Sequence, residues 1–253
     1  NPKAGRRNAK TRHRRYKAPW REPKVMTVYV TNDEGERDKQ FRVVLDGTMG
    51  DADEAFALMV GHLRIRGVHL AQHLTLVADG AEWIWGRAQA LREAVGVPGE
   101  RFTEVVDYYH ACEHLHEVAA IPKNWSDEER KKWLKKAERA LHAGRIEKVL
   151  DLIDSLRVGR RGTAVGKCLG YFETHRERMR YADFRAKGSP IGSGAVESAV
   201  RRIVNLRMKG NSIFWLPEHA EAMLHLRAYL KAGRWDDLVR STISQPVWTP
   251  PAS

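Results

Sequence analysis

Cysteine is almost absent: the 253-residue chain holds only Cys112 and Cys168. Two cysteines make no disulfide framework, which excludes a small stapled secreted fold and points to a reducing cytoplasm. Long apolar runs are missing as well. None approaches the roughly 20 residues that cross a bilayer. The basic N-terminal stretch has no apolar segment behind it, so no secretory pattern is read. There is no Gly-x-x-x-x-Gly-Lys phosphate loop, no nucleophile elbow and no paired CxxC, and no internal repeat is found. Acid is short of base: 32 Asp and Glu stand against 44 Lys and Arg, a formal net charge of +12 with a pI near 9.8. That excess says nothing about fold. It favours polyanionic partners, with nucleic acid first and an anionic membrane surface second.

What is present is a globular balance, 42% hydrophobic, on a chain long enough for one large domain or two small ones. Residues 1–24 carry ten Lys or Arg against one acid, Glu22, and no apolar period. They read as a solvated basic arm or loop, compatible with phosphate contact through Arg6, Arg7, Arg12, Arg14 and Arg15, and with stacking by Tyr16 and Trp20. "VMTVYV" (25–30) and "FRVVL" (41–45) read as a hairpin. A helix follows, headed by Asp51 with Glu54 as capping-box partner, its stripe Phe56, Met59, Val60 and Leu63, its end at Gly67. "HLTLVADG" (73–80) is a strand, 81–96 a helix closed by Gly96, and "FTEVVDYYH" (102–110) a strand entering a short helix. Residues 126–157 read as helical throughout, with Trp133, Leu134, Ala137 and Leu141 as one stripe and Ile146, Val149, Leu150 and Ile153 as a second; another helix spans 163–181, and "PEHAEAMLHLRAYLKAG" is a helix stopped by Gly233. Strands alternating with helices predict an α/β layered domain.

Three places could carry chemistry. Asp79 ends an apolar strand, where open α/β sheets gather ligands; it is either a metal-holding carboxylate or the start of an Asp-Gly turn. Glu197 follows "PIGSG" and opens a helix; it is either a site carboxylate or a favourable charge at a helix N-terminus. Behind it come Arg201, Arg202, Arg207 and Lys209, too many cations for a buried helix and suited to a DNA-facing one. "DYYHACEHLHE" (107–117) holds Asp107, His110, Cys112, Glu113, His114 and His116. His110 and His114 have the i, i+4 spacing of paired ligands, but no second pair completes a zinc site, so they read as satisfied histidines near an active site. Trp83, Trp85 and Trp133 read as core.

"LDGTMGDADEAFALM", "LVADGAEWIW", "VVDYYHACEHL" and "PIGSGAVESAVRRIVNLRMKGNSIFW" occur in an order that resembles bacterial insertion-sequence transposases of the ISKra type, among the Asp-Asp-Glu recombinases. The likeness covers nearly the whole chain. It implies an α/β, ribonuclease H-like mixed sheet with flanking helices and a helical insertion before the last catalytic helix. The implied division is a basic arm (1–24), the first part of the core (25–120), the insertion (121–187), the glutamate helix with the C-terminal helices (188–242) and an irregular tail (243–253). It also implies a transposase: Asp79 and Glu197 as catalytic metal ligands, Mg²⁺ or Mn²⁺ as cofactor, DNA ends and target as partners, homo-oligomers on DNA and a nucleoid location in the cytoplasm.

The first catalytic aspartate of that family lies on a strand ahead of the two strands seen here. The resemblance therefore implies a partial, poorly active chain lacking that strand, with Asp46 of a family-like "DGT" element as the alternative carboxylate. A basic DNA-binding remnant without catalysis, or a basic interaction protein, is the rival reading. Phosphodiester transfer suits the mixture of charges: hard carboxylates can hold divalent ions while cations hold phosphates.

Overall fold

The computed structural model describes residues 21–210 and 213–244. Arg6, Arg7, Arg12, Arg14 and Arg15, and the expected irregular tail beyond 244, lie outside the described residues.

The hairpin forms, displaced from where the apolar runs place it. Strand β1 (Lys24–Val28) pairs antiparallel with β2 (Val44–Thr48), Lys24 opposite Thr48 and Val28 opposite Val44. The returning strand thus begins three residues later than "FRVVL" suggests. Phe41 is half exposed, and the chain between the strands is joined at the Thr31–Arg37 bridge, where the Asp38 amide donates to Val30 O and the Asn32 amide to Glu36 O. Pairing partners, rather than apolarity, set the register, and the shift puts Asp46 inside the ladder. Helix α1 (Ala52–Ile65) follows. The Asp51 carboxylate accepts from the Asp53 and Glu54 amides at 2.9 and 3.0 Å. The reciprocal half of the capping box is absent, because Glu54 accepts instead from the Thr48 hydroxyl. Gly67, at φ +65°, ends the segment as expected.

Strands β3 (Leu74–Ala78) and β4 (Phe102–Val106) pair in parallel, Leu74 opposite Phe102 and Ala78 opposite Val106. The crossover between them is two short helices, α2 (Glu82–Trp85) and α3 (Ala88–Ala94), not one. The break falls at Gly86–Arg87, where the Arg87 guanidinium turns to Asp53 at 2.6 Å. Among the described residues the strands therefore make two separate pairs, one antiparallel and one parallel, not the single mixed sheet expected. The α/β class stands. Both pairs rest on one helical layer: Val28 of β1, Leu74 and Leu76 of β3 and Phe102 of β4 pack on Val60 and Leu63 of α1 and Leu91 of α3.

Helices α4 (Tyr108–Ala120), α5 (Asp127–His142), α6 (Ile146–Asp154), α7 (Gly162–Thr174) and α8 (Tyr181–Ala186) build the largest core, around Val105 and Val106 of β4. Of the expected stripes, Leu134, Ala137 and Leu141 on α5 and Ile146, Val149 and Ile153 on α6 are buried, while Trp133 and Leu150 are partly buried against the same core. Each large side chain so enclosed contributes about 1.5–3 kcal/mol. Ser126 and Glu129 form a complete capping box at the head of α5. The continuous helix expected over 126–157 is broken at Gly144, whose φ of +67° lets α5 and α6 fold back as a helical hairpin. The helix expected over 163–181 likewise divides: a 3₁₀ turn, Arg176–Met179, separates α7 from α8.

The remaining helices cover β1 and β2. Helix α9 (Gly194–Val200) runs into a π-helical turn (Arg201–Asn205), and α10 (Pro217–Lys231) and α11 (Trp235–Ile243) follow. Ala199, Ile203, Val204, Leu224 and Ala228 enclose Leu45 of β2. No described helix is long and apolar enough to cross a membrane.

Candidate active site

Two apolar strands end in aspartate. Ala78 and Val106 are register partners, so Asp79 and Asp107 are the next residues at the carboxyl ends of β3 and β4. The Asp107 amide donates to the Ala78 carbonyl at 2.8 Å, which carries the pairing one step past the strands. Asp79 is exposed, and one of its carboxylate oxygens accepts from the Ala81 amide at 2.9 Å.

Asp107 is buried, 2% exposed. Its Oδ1 caps α4, accepting from the Tyr109 and His110 amides at 2.6 and 3.1 Å. Its Oδ2 accepts from the Ser193 amide at 2.6 Å and from the Ser193 hydroxyl. The Tyr108 amide donates to Ile191 O at 2.8 Å. The "PIGSG" turn is thereby fastened to the end of β4. Glu197 lies one turn further on, exposed, its amide donating to Ser193 O at 3.1 Å. Sequence reasoning singled out Asp79 and Glu197 and treated Asp107 as one member of a histidine-rich run. The missed signal was the same one that marked Asp79: an aspartate at the carboxyl end of a strand.

Tyr171 of α7 closes the side of this region. Gly80, directly after Asp79, has no side chain because a methyl there would overlap the Tyr171 ring. Burial raises the Tyr171 phenol well above its ordinary range, and the negative charges of Asp79, Asp107 and Glu117 add to the shift. His114 stacks on the same ring, centroids 3.9 Å apart, and His175 meets it edge-on at 5.0 Å. Burial lowers the His175 pKa, and Arg178 lowers it further. His110 packs against His114 and each pairs with a glutamate, Glu113 and Glu117. These histidines are satisfied by rings and acids. Among the described residues no three His, Cys, Asp or Glu are grouped to hold a metal.

Asp46 sits in another place and another state. It is 5% exposed, inside β2. Its Oδ2 is 2.6 Å from His62 Nε2 of α1, its Oδ1 3.0 Å from His225 Nδ1 of α10, and the Gly47 amide donates to Oδ1 at 2.9 Å. Burial pushes the Asp46 pKa up, but the His225, His62 and Gly47 hydrogen bonds outweigh it and hold the carboxyl well below its ordinary range. The Asp46 bond raises the His225 pKa in return. His225 Nε2 also meets Glu221, 3.0 Å away, and Glu221 accepts from the Met49 amide at 2.6 Å. This network ties β2 to helices on both sides.

The basic segment behind Glu197 is amphipathic. Ala199, Ile203, Val204 and Met208 face the core, while Arg201, Arg207 and Lys209 are exposed. Arg202 lines a hollow of about 170 Å³ together with Arg37, Lys39, Arg42 and Lys231, with Phe41 among them. Arg227 holds the π-helical turn in place, donating to the Arg202 and Ile203 carbonyls.

No family model, curated protein or solved structure matches the chain.

Proposed function

We propose that the chain is a ribonuclease H-like catalytic domain of an Asp-Asp-Glu transposase, which cleaves and joins DNA strands with divalent metal. The observation that carries the reading is the convergence at the ends of β3 and β4: Asp79 on one strand, Asp107 on the next, and the turn that opens the Glu197 helix fastened to Asp107. Asp79 and Glu197 are exposed carboxylates, whereas Asp107 already accepts four hydrogen bonds. Hard oxygen donors suit Mg²⁺, which is commonly held by one or two carboxylates together with waters and substrate phosphate. Asp79 and Glu197 would hold the ion, and Asp107 positions the turn. A bound ion would stabilise charge on the attacking and leaving oxygens. Arg201, Arg202, Arg207 and Lys209 would hold the DNA backbone beside it.

The test is Mn²⁺ binding, followed by electron paramagnetic resonance with Mg²⁺ as competitor, alongside Mn²⁺-dependent nicking of duplex DNA. Binding should be lost in both Asp79→Asn and Glu197→Gln, and any nicking with it. Unchanged Mn²⁺ binding in both variants would overturn the assignment. The second reading, a non-catalytic DNA-binding protein, is favoured by the cationic hollow around Arg202. It predicts salt-dependent DNA binding with no response to Mn²⁺.

A further inference from the structure

The α5–α6 hairpin carries a second cationic hollow, far along the chain from any residue assigned above. It has a volume of about 310 Å³ and is lined by Lys132, Lys135, Lys136, Arg139, Arg145 and Lys148, with Ala140 among them. Four of these cations stand on α5 at the i, i+3, i+4, i+7 spacing that places side chains on one helix face. The other two come from the turn and α6, folded back onto the first four at Gly144.

A solvated helix face normally alternates in sign, so that like charges are separated by partners. Here four nearby acids are engaged elsewhere. Glu129 caps α5, Asp127 pairs with Arg130, Glu138 with His116 and Glu147 with Arg176. Among the described residues none of the six cations is in an ion pair. Clustering that much like charge costs folding free energy, and the six residues contribute little to the core, since all are exposed. The opposite face of the same hairpin is the well-packed stripe of Leu134, Leu141, Val149 and Ile153, which fixes the cations in place.

We infer that this hollow is a second binding surface for the sugar-phosphate backbone of duplex DNA. The choice of polyanion rests on the DNA-transfer reading above. The geometry suits it. Lys132 to Arg139 spans about 10 Å of helix, and one strand of duplex presents a phosphate about every 3.4 Å along the axis, so the row meets about three phosphates. The hairpin shares one core with β4 and α4, so DNA held there is held in fixed relation to the ends of β3 and β4.

The test uses the full chain and a salt titration of duplex binding. Lys132→Gln, Lys135→Gln and Arg139→Gln are combined in one variant. Lys131→Gln, Arg160→Gln and Lys167→Gln, exposed cations outside the hollow, form a control of equal charge. Three lost contacts should flatten the log–log salt slope by about 2.7, equivalent to about 40-fold less loss of affinity between 50 and 200 mM salt. The control should keep the parent slope, and the hollow variant should melt no lower than the parent. Arg145→Gln with Lys148→Gln should flatten the slope too, by up to about 1.8. Equal slopes for hollow variant and control would overturn the inference. So would a hollow variant that loses binding only to vesicles of anionic phospholipid, which would make the surface a membrane contact. If the slope changes while Mn²⁺ binding ignores Asp79→Asn, the hollow stands and the transfer reading falls. If Mn²⁺ binding depends on Asp79 while the slope does not change, the reverse holds.

Discussion

Asp107 receives both the backbone N–H and the hydroxyl of Ser193, across 86 positions of chain. One buried carboxylate therefore does two jobs, capping α4 with one oxygen and anchoring the turn before Glu197 with the other. The consequence is that the head of the Glu197 helix is located by the end of β4, independently of contacts along α9 itself.

Removing that carboxylate should loosen the turn as well as the helix cap. Asp107→Ala should destabilise the fold by about 2–4 kcal/mol, combining about 1 kcal/mol for the cap with the loss of charge-assisted bonds. Asp107→Asn should cost less. Hydrogen exchange gives the specific readout: amides 193–200 should lose protection in Asp107→Ala beyond what global stability accounts for, and Ser193→Ala should show part of the same loss. Protection that changes only in α4 would reduce Asp107 to a cap.

Gly80 and Tyr171 should behave as one unit. A methyl at Gly80 overlaps the Tyr171 ring, so Gly80→Ala should cost about 1–3 kcal/mol through overpacking. Tyr171→Leu in the same chain should recover part of that loss. A double-mutant cycle on thermal unfolding measures the coupling, expected at about 0.5–3 kcal/mol. Strict additivity would mean that the ring moves aside freely.

Stability should depend on pH through Asp46 and His225. The Asp46 carboxyl is held below its ordinary value, so its contribution is present above the unfolded pKa, about 3.9, and fades as pH falls through the lower folded value. The His225 pKa is raised, so its contribution is complete below the unfolded pKa, about 6.5, and is lost as pH climbs through the higher folded value. The pair is therefore fully effective between about pH 4 and 6.5. In His225→Gln the decline in melting temperature above pH 6.5 should flatten relative to the parent. An identical pH profile in the variant would show that His225 is not protonated in the folded network.

Much of this architecture was legible because it is written locally. Asp79 stood out at the end of "LTLVA", and the glycines at 67, 96 and 233 closed helices where expected. Each has positive φ. The stripes of α5 and α6 followed from spacing alone. What escaped was set by distant chain. The register of β2 depends on β1, so "FRVVL" misled. Asp107 was obscured by its histidine-rich neighbours, although its strand context matched that of Asp79. The role of Asp46 needed His62 and His225, which come from two helices that the sequence does not bring together. The cations of α5 were visible one by one. Their meeting with Arg145 and Lys148 depends on the hairpin at Gly144.

Asp46 and Asp79 contrast as an enclosed carboxylate and an exposed one. Asp46 is enclosed and bonded to His62, His225 and Gly47. Asp46→Ala leaves the Gly47 amide, His62 and His225 without their partner, and stranding a buried polar group in this way costs about 1–3 kcal/mol. Asp79 is exposed and its carboxylate accepts one hydrogen bond, so Asp79→Asn should leave the melting temperature close to that of the parent. Mn²⁺ binding should divide the two in the opposite sense. It should vanish in Asp79→Asn and survive in Asp46→Asn, measured below the melting temperature of that variant. If Asp46→Asn remains folded yet loses Mn²⁺ while Asp79→Asn retains it, the metal belongs with the histidine network on β2, and the ends of β3 and β4 are not the active site.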